Sequence, residues 1–175
     1  VLGILLSSAL PVFKLPIPTG NYAVGTKSLH VKLDREETIT KDPSDKREFM
    51  VKVWYPSDQT GKVEDTYIDY AGRSGFATKY GLLPNMLGYL DHVDTHVYTD
   101  VDVSEGSFPV LIFSHGYNSK AYGYYALLSE IASHGYIILN INHTYESTGS
   151  EFPDGSMHYF DYEYMASAEN EEAWT

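Results

Sequence analysis

Residues 108–143 constrain the fold of this chain more than any other stretch. An apolar run from Pro109 to Phe113 has the length and composition of a buried strand. Apolar residues then recur at helical spacing between about 119 and 134, and Gly135 suits the left-handed position that ends a helix. A second apolar run, 136–141, follows at once. We therefore predict a strand, a helix and a second, parallel strand in an α/β fold, with both strands buried on both faces.

The turn after the first of these strands is the place where we expect the functional site. Ligands of open parallel sheets bind beyond the carboxyl ends of the strands. In this sequence that place is occupied by His115, Gly116, Tyr117 and Asn118.

The residues before this unit predict a hairpin and an apolar helical segment. Residues 28–34 and 47–55 have strand patterns and pair most simply as an antiparallel hairpin. Residues 57–75 have the composition of a loop, and a short extended piece is expected at 97–103. Between them, 76–92 has helical pieces interrupted by a proline. Its apolar residues at helical spacing are Tyr80, Leu83, Leu87 and Leu90.

Composition and charge argue against several classes of function. The formal net charge is −12 and no Lys or Arg follows Lys120, so the basic stripe of a nucleic-acid-binding protein is missing. The sequence has no cysteine, which excludes disulfides, thiolate chemistry and cysteine-based zinc sites. His92 and His96 have a spacing that suits metal binding on a helix, but no carboxylate–histidine set completes a site. We expect no metal, no cofactor and no nucleic-acid partner.

The first ten residues, Val1 to Leu10, are apolar and carry no charged side chain. A spanning helix needs ~20 apolar residues, so this segment has the composition of the end of a transmembrane helix or of the apolar part of a signal peptide. A buried N-terminal segment is the alternative. A membrane-anchored, secreted or periplasmic location is therefore expected, with a cytoplasmic location left open.

Four sequence blocks, in this order, resemble one known family. They are LPIPTGNYAVGT (15–26), VKVWYPS (51–57), FPVLIFSHGYN (108–118) and ASHGYIILNINH (132–143). From about residue 10 to residue 160 the chain resembles the N-terminal half of the platelet-activating factor acetylhydrolase family, plasma or isoform II type. The resemblance implies the N-terminal part of an α/β-hydrolase fold. We expect a partial, mostly parallel sheet in the strand order 1-2-4-3, with flanking helices.

The resemblance also implies a chemistry. Members of the family are ester hydrolases with a serine nucleophile and no cofactor, and they cleave short acyl esters of phospholipids. The expected partners are an ester or phospholipid substrate and a membrane surface. Two alternatives stay open: an esterase of the dienelactone-hydrolase or cutinase type, and a non-catalytic α/β-hydrolase-like domain. The second would bind a lipid or a partner through the aromatic segment 76–98.

The nucleophile that this fold requires is not found in the sequence. α/β-Hydrolases carry it in a G-x-S-x-G elbow between a strand and a helix, followed along the chain by the acid and the histidine. Ser74 comes closest, but the second glycine is misplaced, no buried strand precedes it, and we assign it to a loop. We therefore expect residues 11–175 to be the N-terminal portion of one α/β-hydrolase domain, truncated before the elbow. Nucleophile, acid and base would all lie outside the chain, and residues 1–175 alone are expected to be inactive.

The resemblance assigns half of an oxyanion hole to the turn after residue 114. One donor of the hole in this fold comes from the loop after the third strand. That rule places it at the backbone N–H of Tyr117, with His115 and Gly116 forming the supporting turn. A tight strand-to-helix turn without a catalytic role is the alternative. We expect His115 to anchor the turn by hydrogen bonds rather than to shuttle protons.

Two further expectations concern the surroundings of this turn. His143 follows the second strand, and we expect it to join a polar network with Glu146 rather than to act in catalysis. The substrate pocket is expected to include Leu83, Leu87 and Tyr117, because we expect the apolar stripe of segment 76–92 to lie beside the turn after residue 114.

Overall fold

The computed structural model describes residues 12–116 and 119–170, with side chains to residue 166. Within these ranges a five-stranded sheet has the order β3-β1-β2-β5-β4. Its strands are β1 (Ala23–Glu36), β2 (Lys46–Ser57), β3 (Val97–Tyr98), β4 (Val110–Ser114) and β5 (Ile137–Asn142). The helices are α1 (Tyr70–Lys79), α2 (Tyr125–Ser133) and α3 (Tyr162–Asn170), with 3₁₀ helices at Pro84–His92 and Ala121–Tyr124. Two short strands, β6 (Ser150–Glu151) and β7 (Met157–His158), form a separate antiparallel pair.

The strand order confirms the predicted fold class. The four longer strands lie in the order β1-β2-β5-β4, which is the predicted 1-2-4-3. The sheet is mixed, however, and not mostly parallel. Strand β2 is antiparallel to both of its neighbours, β1 and β5, whereas β4 is parallel to β5 and β3 is parallel to β1. The predicted hairpin is therefore present and longer than expected, because β1 stays paired with β2 from Ala23 to Glu36 with one irregularity.

The predicted strand–helix–strand unit is also present. Strand β4 leads through the 3₁₀ helix 121–124 into α2, and Gly135 ends that helix with a φ of 92° before β5 begins. The prediction that both strands are buried on both faces is wrong for the described chain. Strand β4 is an edge strand, and Ile112 is 71% exposed. Strand β5 buries alternate residues only, since α2 covers one face of the sheet.

The main core lies between this covered face and α2. It contains Val24, Trp54, Val97, Tyr125, Leu128, Ala132 and Ile138, each at most 2% exposed. The rings of Trp54 and Tyr125 meet edge to face, with centroids 5.4 Å apart. Removing a buried aromatic ring of this kind costs about 3–5 kcal/mol, so this contact fixes the position of α2 on the sheet.

The region predicted to be a loop contains helix α1. Its N-terminus is capped by the Asp69 carboxylate, which accepts a hydrogen bond from Gly72 N at 2.7 Å. Ser74 lies inside this helix rather than in a loop. It is 2% exposed, and its hydroxyl lies 3.2 Å from both Ala71 O and Tyr159 Oη. A serine in the middle of a helix is not on a strand-to-helix elbow.

The apolar stripe predicted for residues 80–90 does not form one face. Helix α1 ends at Lys79, and the following 3₁₀ helix begins only at Pro84, so the spacing spans two elements. Tyr80 and Leu83 are 62% and 71% exposed, whereas Leu87 and Leu90 are each 7% exposed. Leu87 and Leu90 belong to a second core cluster with Ile68, Ala77, Val93 and Tyr122.

The described residues contain no helix with the length and apolar character needed to cross a membrane. The segment predicted to be membrane-spanning or exported, residues 1–10, lies outside the described part of the chain.

Candidate functional site

The candidate site begins where β4 ends. Ser114 is the last residue of the strand, and it is paired in register with Ile141 of the parallel neighbour β5. His115 and Gly116 follow immediately, at the carboxyl ends of two parallel strands, as the sequence predicts. His115 is only 8% exposed. A buried imidazole at a turn needs hydrogen-bond partners on both ring nitrogens.

His115 finds those partners in two backbone groups. Its Nε2 lies 3.3 Å from His143 N, which can only donate, so Nε2 is the acceptor and the ring proton is on Nδ1. Nδ1 then donates to Gly116 O at 2.9 Å. Gly116 O accepts a second hydrogen bond from Ser119 N at 3.0 Å. These are the hydrogen bonds expected of an anchor, and they fix the direction of the Gly116 carbonyl.

The predicted oxyanion donor follows this carbonyl directly. Tyr117 and Asn118 lie outside the described residues. Gly116 itself borders open space, since a Cβ added there would meet nothing within 4 Å. A glycine at this position therefore leaves room for a ligand to approach the backbone.

His143 connects the turn to a chain of charged groups. Its Nε2 lies 2.7 Å from Ser114 Oγ, and its Nδ1 lies 3.7 Å from Glu146 Oε2. Burial lowers the pKa of His143 from its ordinary value, and nearby Arg47 lowers it further, against the opposing effect of Glu146. His143 thus lies in the expected polar network with Glu146, and its uncharged form is favoured.

The cation of this network was not found from the sequence. Arg47 of β2 donates to Glu37 at 2.9 Å, to Glu146 at 3.0 Å and to Thr144 O at 3.3 Å. Glu37 and Arg47 are almost fully buried, with side chains 2% and 11% exposed. The contacts join residues that are 97 and 99 positions apart, and no local motif marks them. Arg47 thus connects the loop after β5 to the β1–β2 hairpin, and its contacts with Thr144 and Glu146 stabilise the loop that begins at His143.

An aromatic pocket lies beside the turn. It has a volume of about 750 Å³. Its walls come from α1, the 3₁₀ helix 84–92 and the segment 148–162; they are Tyr70, Ser74, Gly75, Thr78, Lys79, Pro84, Thr148, Tyr159, Phe160 and Tyr162. Thr148 N donates to Ser119 O at 3.2 Å, so one wall is bonded directly to the residues that hold the Gly116 carbonyl.

Of the residues predicted to form the substrate pocket, Tyr117 lies outside the described residues, and Leu83 and Leu87 are described. Leu87 is in the second core cluster, and neither Leu87 nor Leu83 lines the aromatic pocket. The described residues contain no group of three or more His, Asp or Glu side chains that could hold a metal ion.

Strand order, the mixed sheet and the turn after β4 are those of the α/β-hydrolase fold. The sequence model of the family described as platelet-activating factor acetylhydrolase, isoform II, matches residues 8–174, and the chain belongs to this family. The platelet-activating factor acetylhydrolase of Bos taurus is 26% identical over 145 residues, which is 79% of this chain and 30% of that protein. The solved structure of a ferulic acid esterase from Streptomyces cinnamoneus superimposes with a TM-score of 0.67 at 27% identity. That superposition covers 85% of this chain and 41% of the esterase. The chain thus spans less than half the length of either protein.

Proposed function

We propose that the full-length protein is a serine ester hydrolase of the platelet-activating factor acetylhydrolase type, acting on short acyl esters of phospholipids. In this proposal the turn after β4 supplies half of the oxyanion hole. The family match supports the class of reaction, and both proteins compared above are ester hydrolases by name.

One observation carries the proposal: the Gly116 carbonyl is held by two donors, His115 Nδ1 and Ser119 N. In a planar trans peptide the N–H points away from the carbonyl. An oxyanion donor at the N–H of residue 117 would therefore be oriented by fixing the Gly116 carbonyl before substrate binds. Such preorganisation is what an oxyanion donor needs, and removing one donor typically costs about 3–4 kcal/mol of transition-state stabilisation.

The nucleophile, acid and base are assigned to a part of the full-length protein outside the described residues. Ser74 is inside a helix, and Ser114 ends a regular strand, so neither sits on the strained strand-to-helix turn that exposes a nucleophile. In this proposal residues 11–175 form the N-terminal portion of one α/β-hydrolase domain.

The aromatic pocket is proposed to receive the apolar part of the ester. Tyr159 and Tyr162 give it an apolar wall, and the hydrogen bond from Thr148 N to Ser119 O places it next to the oxyanion turn. Thr148, whose Oγ1 is buried without a hydrogen-bond partner among the described residues, also lines this pocket. Pockets of this size hold small-molecule ligands.

A second candidate substrate class is an ester of an aromatic acid. The aromatic walls of the pocket and the similarity to a ferulic acid esterase favour it. The two candidates are separated by comparing kcat/KM for a 2-acetyl phospholipid with that for methyl ferulate.

The substitution that tests the oxyanion turn is Gly116→Val in the full-length protein. No side chain lies within 4 Å of the added Cβ, so the melting temperature should stay near that of the wild type. Turnover of p-nitrophenyl acetate should fall by roughly 10²–10³-fold, because the branched side chain blocks the approach of the ester to the neighbouring N–H. Gly123→Ala, at an exposed position of the 3₁₀ helix 121–124, is the matched control and should keep full turnover. Normal turnover in Gly116→Val would overturn the assignment.

A further inference from the structure

A second cavity lies on the sheet face that carries α2, and it shares only Tyr70 with the walls of the aromatic pocket. Its volume is about 590 Å³. Lys52 of β2 pairs in register with Asn140 of β5, and both line the cavity, as does Asn142 two residues further along β5. Helix α1 and the segment 151–153 close the sides. Neither His115 nor Gly116 lines it. We call this cavity the asparagine pocket.

The asparagine pocket contains two buried amide oxygens without partners. Asn140 is 0% exposed and Asn142 is 6% exposed. Asn140 Nδ2 donates to Ala121 O at 3.0 Å, and Asn142 Nδ2 donates to Gly149 O at 2.9 Å. Because backbone carbonyls only accept, these bonds fix which end of each amide is nitrogen. The two Oδ1 atoms have no hydrogen-bond partner in the described part of the chain.

Buried acceptors of this kind are rare in native proteins, and each calls for a donor. The two asparagines occupy positions i and i+2 on one face of β5, and both line this cavity. A ligand that occupies the asparagine pocket is therefore expected to carry N–H or O–H donors.

The charged residues around the pocket indicate the sign of the ligand's charge. Arg73 is paired with Asp91 at 2.9 Å, and Lys52 is paired with Asp65. The two other carboxylates in the lining belong to Asp69 and Glu151. Neither is in an ion pair with a Lys, Arg or His side chain among residues 12–116 and 119–166.

Asp69 and Glu151 have only neutral donors. Asp69 accepts from Gly72 N at 2.7 Å and from Tyr122 Oη at 3.0 Å, and Glu151 accepts from Ala71 N at 3.4 Å. Burial raises the pKa of Asp69 and nearby Glu151 raises it further, against the opposing effects of its hydrogen bonds and of Lys52. The pocket thus combines two carboxylates that are in no direct ion pair among the described residues with two amide oxygens that lack a donor there.

The walls indicate an organic cation rather than a metal ion. Tyr70, Tyr122 and Phe152 line the pocket, and aromatic faces attract ammonium groups. The described side chains include no set of three or more His, Asp or Glu with metal-binding geometry. A cavity of about 590 Å³ is also much larger than a single ion needs.

We propose that the asparagine pocket binds a small organic molecule with a primary ammonium group. The ammonium N–H groups donate to Asn140 Oδ1 and Asn142 Oδ1, and Asp69 and Glu151 balance its charge. The asparagine pocket touches the proposed acyl pocket at Tyr70 but does not include the turn at His115 and Gly116, and its test does not require catalysis.

The test is isothermal titration calorimetry of the full-length protein with ethanolammonium chloride at constant ionic strength. Saturable binding is expected. Choline, which has the same charge and hydroxyl but no N–H donor, should bind at least about tenfold more weakly, since its single O–H can satisfy only one of the two amide oxygens. Potassium and calcium chlorides should give no comparable saturable heat.

Two variants complete the test. Glu151→Gln keeps the size and the acceptor for Ala71 N but removes one charge, and it should weaken ethanolammonium binding about tenfold or more. Glu105→Gln removes the same charge from an exposed loop position and should bind as the wild type does. Both variants should retain the wild-type melting temperature.

The proposal is wrong if ethanolammonium does not bind at 10 mM, roughly the weak limit expected of small polar ligands. It is equally wrong if choline binds as tightly, or if the two variants behave alike.

Discussion

Ser114 Oγ lies 2.7 Å from His143 Nε2, so a serine and a histidine are hydrogen-bonded at the edge of the turn after β4. The pair resembles a nucleophile with its base, but the third group does not complete a triad. Glu146 is 3.7 Å from His143 Nδ1, beyond hydrogen-bond distance, and its carboxylate accepts from Arg47 at 3.0 Å. Ser114 also ends a regular strand rather than a strained turn. We interpret the pair as part of the support for His115, because His143 N donates to the His115 ring.

This interpretation predicts the behaviour of Ser114→Ala in the full-length protein. The variant should still react with a fluorophosphonate probe, since the reactive serine lies elsewhere. Its turnover should fall by no more than about tenfold, the effect of losing one hydrogen bond that positions another group. Mass spectrometry of the labelled protein gives the modified residue directly. Loss of labelling in a folded Ser114→Ala variant, or a label on Ser114 itself, would make Ser114 the nucleophile.

The lowered pKa of His143 predicts a pH dependence of stability. The histidine has a lower pKa in the folded protein than its ordinary value of 6.5. As the pH falls below about 6.5, the unfolded chain therefore takes up the proton first. The stabilisation is fully present above that pH, and it is lost as the pH falls towards the folded-state pKa.

Urea unfolding of the full-length protein at several pH values between 7.5 and 5, a range that brackets the ordinary histidine pKa, checks this prediction. His143→Gln keeps a polar group near Ser114 but cannot titrate, so its stability should decline less over the same range. An identical decline in the wild type and the variant would contradict the assigned direction of the shift.

The sequence was informative where structure is decided by neighbouring residues. The apolar run before Ser114, the helical spacing after it and the glycine at 135 are local signals, and all three elements formed where they were predicted. The resemblance added the sheet order, which no local pattern contains. The sequence also contains a local signal for the asparagine pocket: two polar residues, Asn140 and Asn142, stand at alternating positions of an otherwise apolar strand.

Long-range contacts account for most of what was missed. Arg47 meets Thr144 and Glu146 only after the sheet has formed, and the sequence separation of almost a hundred residues leaves no pattern to detect. The predicted apolar face at 80–90 is wrong for another reason: the helical spacing of its residues continues across a break between two helices. The exposure of β4 likewise depends on which strands flank it, which its own residues do not specify.

Removing the Arg47 cation from its ion pair with Glu37 is expected to cause a large loss of stability. Arg47→Met in the full-length protein leaves the Glu37 carboxylate, whose side chain is 2% exposed, buried without a counter-charge. Such losses typically amount to about 3–5 kcal/mol, measurable by denaturant unfolding. The double variant Arg47→Met/Glu37→Gln should recover part of the loss, because the uncompensated charge is gone.

Lys14→Met is the matched control for this prediction. It removes a cation from an ion pair of similar length, Lys14–Asp94 at 2.6 Å, whose side chains are 76% and 41% exposed. Water solvates the remaining carboxylate there, so stability should stay near that of the wild type. Equal losses of stability in the Arg47 and Lys14 variants would show that burial does not determine how much stability is lost when the cation is removed.

The edge strand β4 gives the sharpest test of the proposal that residues 11–175 are part of a larger domain. Ile112 is 71% exposed at the centre of a parallel edge strand, which is an unusual environment for a β-branched apolar side chain. If the sheet continues beyond β4 in the full-length protein, Ile112 is covered there. Ile112→Asp should then bury an unpaired charge and cost about 3 kcal/mol or more, or prevent soluble expression.

Ile17→Asp is the matched control, since Ile17 is the same residue type at 69% exposure in an extended connector, and it should change stability by less than about 1 kcal/mol. Denaturant unfolding of the two variants measures the difference in stability. An Ile112→Asp protein as stable as Ile17→Asp would show that nothing packs on β4.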